Sequence, residues 1–211
     1  MGLRRAAGKS STRTERSPAR LQPGWAGAAV LAPGYGGTAE QPLLVALARR
    51  LEAQSIAALP FTFSPGGRKP STDWIQELAD LREARGHALE KGGRPLALVG
   101  RSFGGRACAR LALLEPPDAL VLLSYPIRPP QKRRLEDEAV LAALRCPTLI
   151  VQGDADELGP MRVLRHLARG NPALLVEPIR GAGHAYGRSE PVALARAVDW
   201  LLERFSREAS G

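Results

Sequence analysis

The stretch LVGRSFGGRACARLALL, residues 98–114, changes character at a single serine. Up to Gly100 it is a continuous aliphatic run, and from Phe103 onward it is rich in alanine and leucine with a helical spacing of apolar residues. The first part reads as a buried strand, the second as a helix over 103–114, with Ser102 at the turn between them. Gly100 and Gly104 add no bulk on either side, so a strand that turns at once into a helix leaves the Ser102 side chain projecting.

The same alternation extends along the chain. "AGAAVLAP" (26–33) reads as a strand closing on Pro33-Gly34, and "TAEQPLLVALARRLEAQ" (38–54) as a helix capped by Thr38 with Pro42 in its first turn. "SIAALPF" (55–61) is a second strand, and 71–92 a long helix with a Ser/Thr start and a glycine end. "PLALVG", "DALVLLSYP", "CPTLIVQGD" and "ALLVEPI" follow as further apolar runs, with helices expected at 103–114, about 139–145, 160–170 and 189–206. Each run is continuous rather than alternating, the pattern of strands covered on both faces. The expected fold class is therefore α/β, a doubly wound, mostly parallel sheet of about six strands. "SYPIRPPQKRRLEDE" (124–138) is too short for a cap domain, and the top of the sheet should be open.

Composition sets the wider limits. A chain of 211 residues with 44% hydrophobic and 5% aromatic residues supports one aliphatic core, here assigned to a single domain over 25–208. The formal charge of +9 raises nucleic acid as a partner. Much of it, however, lies in Arg4, Arg5, Lys9, Arg13, Arg16 and Arg20 against Glu15, within an apolar-poor segment that reads as a disordered basic arm over 1–24. Nucleic-acid contact is expected only through that arm, if at all. The arm has no apolar core of the kind a secretory signal needs, and no run approaches a membrane span, so the expected location is cytoplasmic. Cys108 and Cys146 are too far apart and too few for a disulfide framework or a zinc site, and Cys108 reads as a buried small hydrophobe.

Parallel sheets gather ligands at the carboxyl ends of their strands. Ser102 falls there, in "GRSFGG", a GxSxG pattern whose tight turn exposes a nucleophilic hydroxyl. A serine needs a base. Of the three histidines, His87 and His166 lie within helical segments, whereas His184 sits in "RGAGHAYGR" after the last strand. A carboxylate must orient that histidine. Asp154 and Asp156 both follow the fifth strand; Asp156 is preferred because two residues beyond Gly153 let the chain turn first, leaving Asp154 to the turn itself. Developing oxyanion charge needs fixed N–H donors. The Phe103 amide is one, with Phe103 valued for that amide rather than its ring, and Tyr35 in "APGYGGT" is the candidate for the second. Neither the GK[ST] ending nor the GxGxxG spacing of a nucleotide loop is present there.

With these residues in order Ser102, Asp156, His184, the sequence resembles the α/β-hydrolase superfamily, in particular its small dienelactone-hydrolase-like members. Within it the chain is similar to the branch of testis-expressed protein 30 and the third subunit of the NSL histone-acetyltransferase complex. "LAPGYGGTAEQPLL", "LVGRSFGGRACA", "LSYPIRPP" followed by "RLEDE", "TLIVQGDADELG" and "GAGHAYG" carry the likeness. The resemblance implies Ser102, Asp156 and His184 as a triad, Tyr35 and Phe103 as amide donors, no cofactor, and a small-molecule ester, thioester or activated amide as substrate. Pro33 stands where many members have a histidine before the oxyanion-loop glycine, and the antiparallel strands that usually precede the first parallel strand are not apparent. Because one branch member is a chromatin-complex subunit, a non-catalytic scaffold on the same fold is the alternative. Arg101 and Arg106 flank the serine, and Arg128, Arg180 and Arg188 lie in loops near the same rim; an ordinary arginine-rich surface accounts for them equally.

Overall fold

A computed structural model describes residues 25–64, 71 and 73–208; the basic arm and most of "SPGGRKP" lie outside the described residues. The chain alternates β1 (Gly27–Ala32), α1 (Pro42–Glu52), β2 (Ile56–Pro60), α2 (Ile75–Gly92), β3 (Leu96–Arg101) and α3 (Phe103–Leu114). It continues through β4 (Ala119–Leu123), α4 (Leu135–Ala143), β5 (Thr148–Gly153), α5 (Met161–Gly170), β6 (Leu174–Ile179) and α6 (Glu190–Glu208). The strands form one sheet in the order β2-β1-β3-β4-β5-β6, and every pairing is parallel. No cap domain occurs among the described residues.

The continuous apolar runs have the cause expected of them. One core layer lies beneath α2 to α5, with Leu81, Ala107, Leu111, Leu141 and Leu164 buried against one sheet face. The other lies beneath α1 and α6, with Leu44, Leu47, Leu194, Leu201 and Phe205 against the opposite face. β1, β3, β4 and β5 are therefore covered on both sides, and each buried leucine contributes about 1.5–3 kcal/mol. At the sheet edge, β6 is buried only at its ends, Leu174 and Ile179, with Leu175 and Pro178 exposed between them. No helix among the described residues is long and apolar enough to cross a membrane.

Helix starts depart from the sequence reading for local reasons. α1 begins at Pro42, not at Thr38, because a residue before proline is pushed out of the α region and Gln41 has ψ 123°. The Thr38 hydroxyl instead accepts the Glu40 N–H at 3.2 Å in the preceding turn. α2 starts at Ile75 rather than 71, since Trp74 takes the left-handed φ of 65°. α4 starts about one turn earlier than expected, with Glu136, Asp137 and Glu138 in its first turn where the helix dipole favours acids, and it ends before Cys146-Pro147.

The strand order places the site. The chain moves from β1 out to β2 and then returns across β1 to β3, so adjacent β1 and β3 form the topological switch where a crevice opens. Their ends lead into the Pro33–Gly37 loop and into Ser102. α3 begins flush against this point: a Cβ on Gly104 would stand 2.5 Å from the carbonyl oxygens of Ala32 and Pro33, and one on Gly100 would stand 2.5 Å from the Gly104 backbone. The glycines are thus required by close backbone approach. Gly104→Ala should cost about 3 kcal/mol through overpacking, lowering the thermal midpoint by about 6–12 °C; an unchanged midpoint in calorimetry would refute the tight packing.

Candidate active site

Ser102 is held at φ 50°, ψ −109°, outside the ordinary regions for an L-residue. Such strain costs about 1–3 kcal/mol and persists because the surroundings overdetermine it. The Ser102 N–H donates to Leu123 O at 2.8 Å, extending the β3–β4 ladder, while its carbonyl accepts the Arg106 N–H at 3.2 Å as the first bond of α3. The residue is pinned between strand and helix, and its Oγ lies 2.9 Å from His184 Nε2.

The turn after β6 brings His184 to the same edge, with Nδ1 2.9 Å from Asp156 Oδ2. Asp156 is 3% exposed. Its Oδ2 also accepts Gln152 Nε2 at 2.7 Å, and its Oδ1 accepts the Leu158 N–H at 2.9 Å. Two fixed donors thus bind this carboxylate, and a proton on His184 Nδ1 completes the set, leaving Nε2 to accept from the Ser102 hydroxyl. Asp154 lies apart and exposed, where its Oδ1 accepts the Gly181 N–H at 2.7 Å and closes the turn after β6.

Two polar residues that the sequence reading passed over fix this geometry. Gln152 is fully buried on β5: its Oε1 accepts the Tyr125 N–H at 2.7 Å, and its Nε2 donates to Gly159 O at 3.2 Å as well as to Asp156. A glutamine inside the apolar run "TLIVQG" was the available signal, because a buried polar group implies a partner. Tyr186, two residues after His184, accepts the Ser124 N–H at 2.9 Å and donates to Val151 O at 2.7 Å. It ties the histidine loop to the ends of β4 and β5, and burial pushes its phenol well above the usual range.

The amide candidates come from two elements, the start of α3 and the loop after β1. Phe103 is the first residue of α3, where an N–H has no intrahelical acceptor. Its ring has a packing role that the sequence reading did not give it: it is buried, stacked on Trp74 at 5.6 Å and edge-on to Phe63 and Tyr35 at 5.3 and 6.2 Å. Tyr35 sits in a loop shaped by the Gly34 N–H to Gln41 Oε1 bond at 3.0 Å and the Gly37 N–H to Gly34 O bond at 2.9 Å. Of the arginines near the rim, Arg128 is paired with Glu138 at 2.6 Å, Arg180 and Arg188 are exposed, and Arg106 turns toward Asp137 at 2.7 Å. His87 and His166 are exposed on α2 and α5, remote from this chain of hydrogen bonds.

A parallel sheet with a strained serine at its switch point, followed in chain order by a hydrogen-bonded acid and histidine, defines the architecture of a serine hydrolase. Residues 26–199 match the family described as alpha/beta hydrolase domain, and the chain belongs to that family. Its fold is shared with Est1E from Butyrivibrio proteoclasticus, solved with ferulic acid bound, at a TM-score of 0.74 and 18% identity over 87% of this chain and 91% of that one. XC6422 from Xanthomonas campestris, described as an α/β serine hydrolase without lid, aligns at 0.66 and 20% identity over 89% and 85% of the two chains. P91 from metagenomic libraries, a dienelactone hydrolase-like promiscuous phosphotriesterase, aligns at 0.62 and 19% identity over 88% of each. At these identities the likeness concerns the fold.

Proposed function

We propose that the protein is a carboxylic-ester hydrolase working through an acyl-enzyme on Ser102. The observation that carries this reading is the continuous chain from Asp156 through His184 to Ser102, with both histidine contacts at 2.9 Å. Ser102 Oγ attacks the carbonyl carbon while His184 Nε2 takes its proton; the tetrahedral oxyanion is held by the Phe103 and Tyr35 amides. Collapse breaks the bond to the leaving alcohol or thiol, which receives that proton from His184. Water then attacks the acyl group with His184 again as base, releasing the acid and restoring Ser102. Asp156 keeps the imidazole in the required tautomer and stabilises its charged form.

Among proteins of this fold, the one described as a monoacylglycerol lipase and the ferulic-acid-bound Est1E support carboxylic esters of small molecules, while P91 is described as a phosphotriesterase. "LSYPIRPP" with "RLEDE" supports the branch of testis-expressed protein 30 and the NSL complex subunit, and the two buried free thiols suit a reducing, cytoplasmic setting. The strain retained at Ser102 and the intact proton path favour the enzyme over a scaffold, which needs neither. A fluorophosphonate probe should add once per chain, on the peptide containing Ser102. Absence of labelling, or labelling elsewhere, would overturn the reading.

A further inference from the structure

Beside the proposed nucleophile lies a cluster in which cations outnumber their carboxylate. Asp137, on α4, is fully buried and accepts Arg106 Nε at 2.7 Å and Arg110 Nη2 at 2.6 Å, with Arg134 Nη1 at 4.0 Å. Arg106 and Arg110 are only 15% and 10% exposed. Glu136, the next acid, is 89% exposed and contributes little at 3.9 Å from Arg110. Buried polar atoms here lack partners: Arg134 Nε and the Tyr125 hydroxyl have none. Burial first, and the Arg106 charge second, pull the Arg134 guanidinium below its usual range, against the opposing pull of Asp137.

This cluster opens onto a cavity of about 320 Å³ lined by four cations, Arg106, Lys132, Arg133 and Arg134, by Leu135, and by two acids, Glu136 and Asp137. It is joined through the Trp74 ring to the residue that follows the nucleophile. The guanidinium carbons of Arg110 and Arg106 stand 4.1 and 4.8 Å over the Trp74 ring, and that ring stacks on Phe103, the residue after Ser102. Arg106 is one turn of α3 beyond Ser102, about 6 Å of axial rise. Guanidinium groups present planar donor forks that match a carboxylate or phosphate.

Resting on the serine-hydrolase reading, we propose that this cavity receives an oxyanion, carboxylate or phosphate, carried by the substrate a few bonds from the carbonyl that Ser102 attacks. Asp137 holds Arg106 and Arg110 in place with their charge only partly offset, and the Trp74 ring packs against both guanidinium groups. Lys132 and Arg133, exposed on the rim, attract the anion.

The test compares 4-nitrophenyl butyrate with mono-4-nitrophenyl glutarate, of similar reach but bearing a terminal carboxylate. The wild type should prefer the glutarate ester in kcat/KM by at least about tenfold, the order expected of one charge-assisted hydrogen bond. That preference should fall toward parity in Arg134→Gln, in the surface double variant Lys132→Gln/Arg133→Gln, and in high salt. A preference absent in the wild type, or intact in both variants, overturns the proposal. A second arm needs no turnover: inorganic phosphate and glutarate are titrated separately into the Ser102→Ala protein, with thermal midpoint as readout. A rise with either, lost in the rim double variant, supports the site and shows which anion it takes; no rise with either overturns it. An oligonucleotide that raises the midpoint where neither small anion does overturns it in favour of a nucleic-acid surface. Hydrolysis of neither ester by the wild type would sink the hydrolase reading alone, leaving the binding arm to decide the cavity.

Discussion

Replacing Ser102 by alanine should lower kcat for an aryl ester about 10⁵- to 10⁶-fold, a loss of roughly 7–8 kcal/mol of transition-state stabilisation, as when a triad serine nucleophile is removed elsewhere. No other hydroxyl is within hydrogen-bond reach of His184 in the described structure, so water attack assisted only by the amide donors remains. The variant should stay folded, because the bonds that pin residue 102 are made by its backbone N–H and carbonyl. Ser102→Gly separates strain from chemistry. It should be as inactive as the alanine variant yet melt about 2–4 °C higher, since glycine adopts φ 50° without the penalty and the net gain after its entropic cost is about 1 kcal/mol. Burst kinetics with an aryl ester and calorimetry measure the two quantities. Retained turnover in either variant would remove Ser102 as the nucleophile.

What the sequence made legible was whatever local pattern controls. Continuous runs such as "LALVG" and "TLIVQG" read as two-sided strands because helices cover both faces, and the α3 boundaries followed from one glycine-flanked serine. Helix starts were less legible where backbone chemistry of a single residue intervened: Pro42 displaced the start expected at Thr38, and left-handed Trp74 delayed α2. The supporting residues were illegible for a different reason. Gln152 acts on Asp156 and Tyr125, Tyr186 on Ser124 and Val151, and Trp74 on Phe103 and two arginines of α3. Apart from the local pair of Gln152 and Asp156, each partnership joins residues far apart in the chain that only the fold brings together. Periodicity says which face a side chain takes, and not which distant backbone group it will meet.

The choice between the two aspartates after β5 supplies the sharpest comparison. Asp156→Asn should lower kcat about 10⁴-fold, by analogy with the triad acid of other serine hydrolases. The cause can be followed atom by atom. Asp156 receives three N–H groups, from His184, Gln152 and Leu158, and an asparagine replaces one of its acceptor oxygens with an NH₂ donor. If that NH₂ faces His184, it also faces Gln152 Nε2, and Nδ1 must become an acceptor. The ring proton then moves to Nε2 and points at Ser102, which loses its base. If the NH₂ faces Leu158 instead, two donors oppose each other in a buried place, at a cost of about 1–3 kcal/mol, and no charge stabilises the imidazolium. Both orientations fail, the first through the tautomer and the second through stability and electrostatics. Asp154→Asn meets no such conflict: its side-chain oxygen still accepts the Gly181 N–H at an exposed turn. That variant should keep activity within about twofold and stability within about 0.5 kcal/mol, as for most surface changes. Equal losses at the two positions, in parallel assays of kcat and thermal midpoint, would show that His184 takes its orientation from elsewhere.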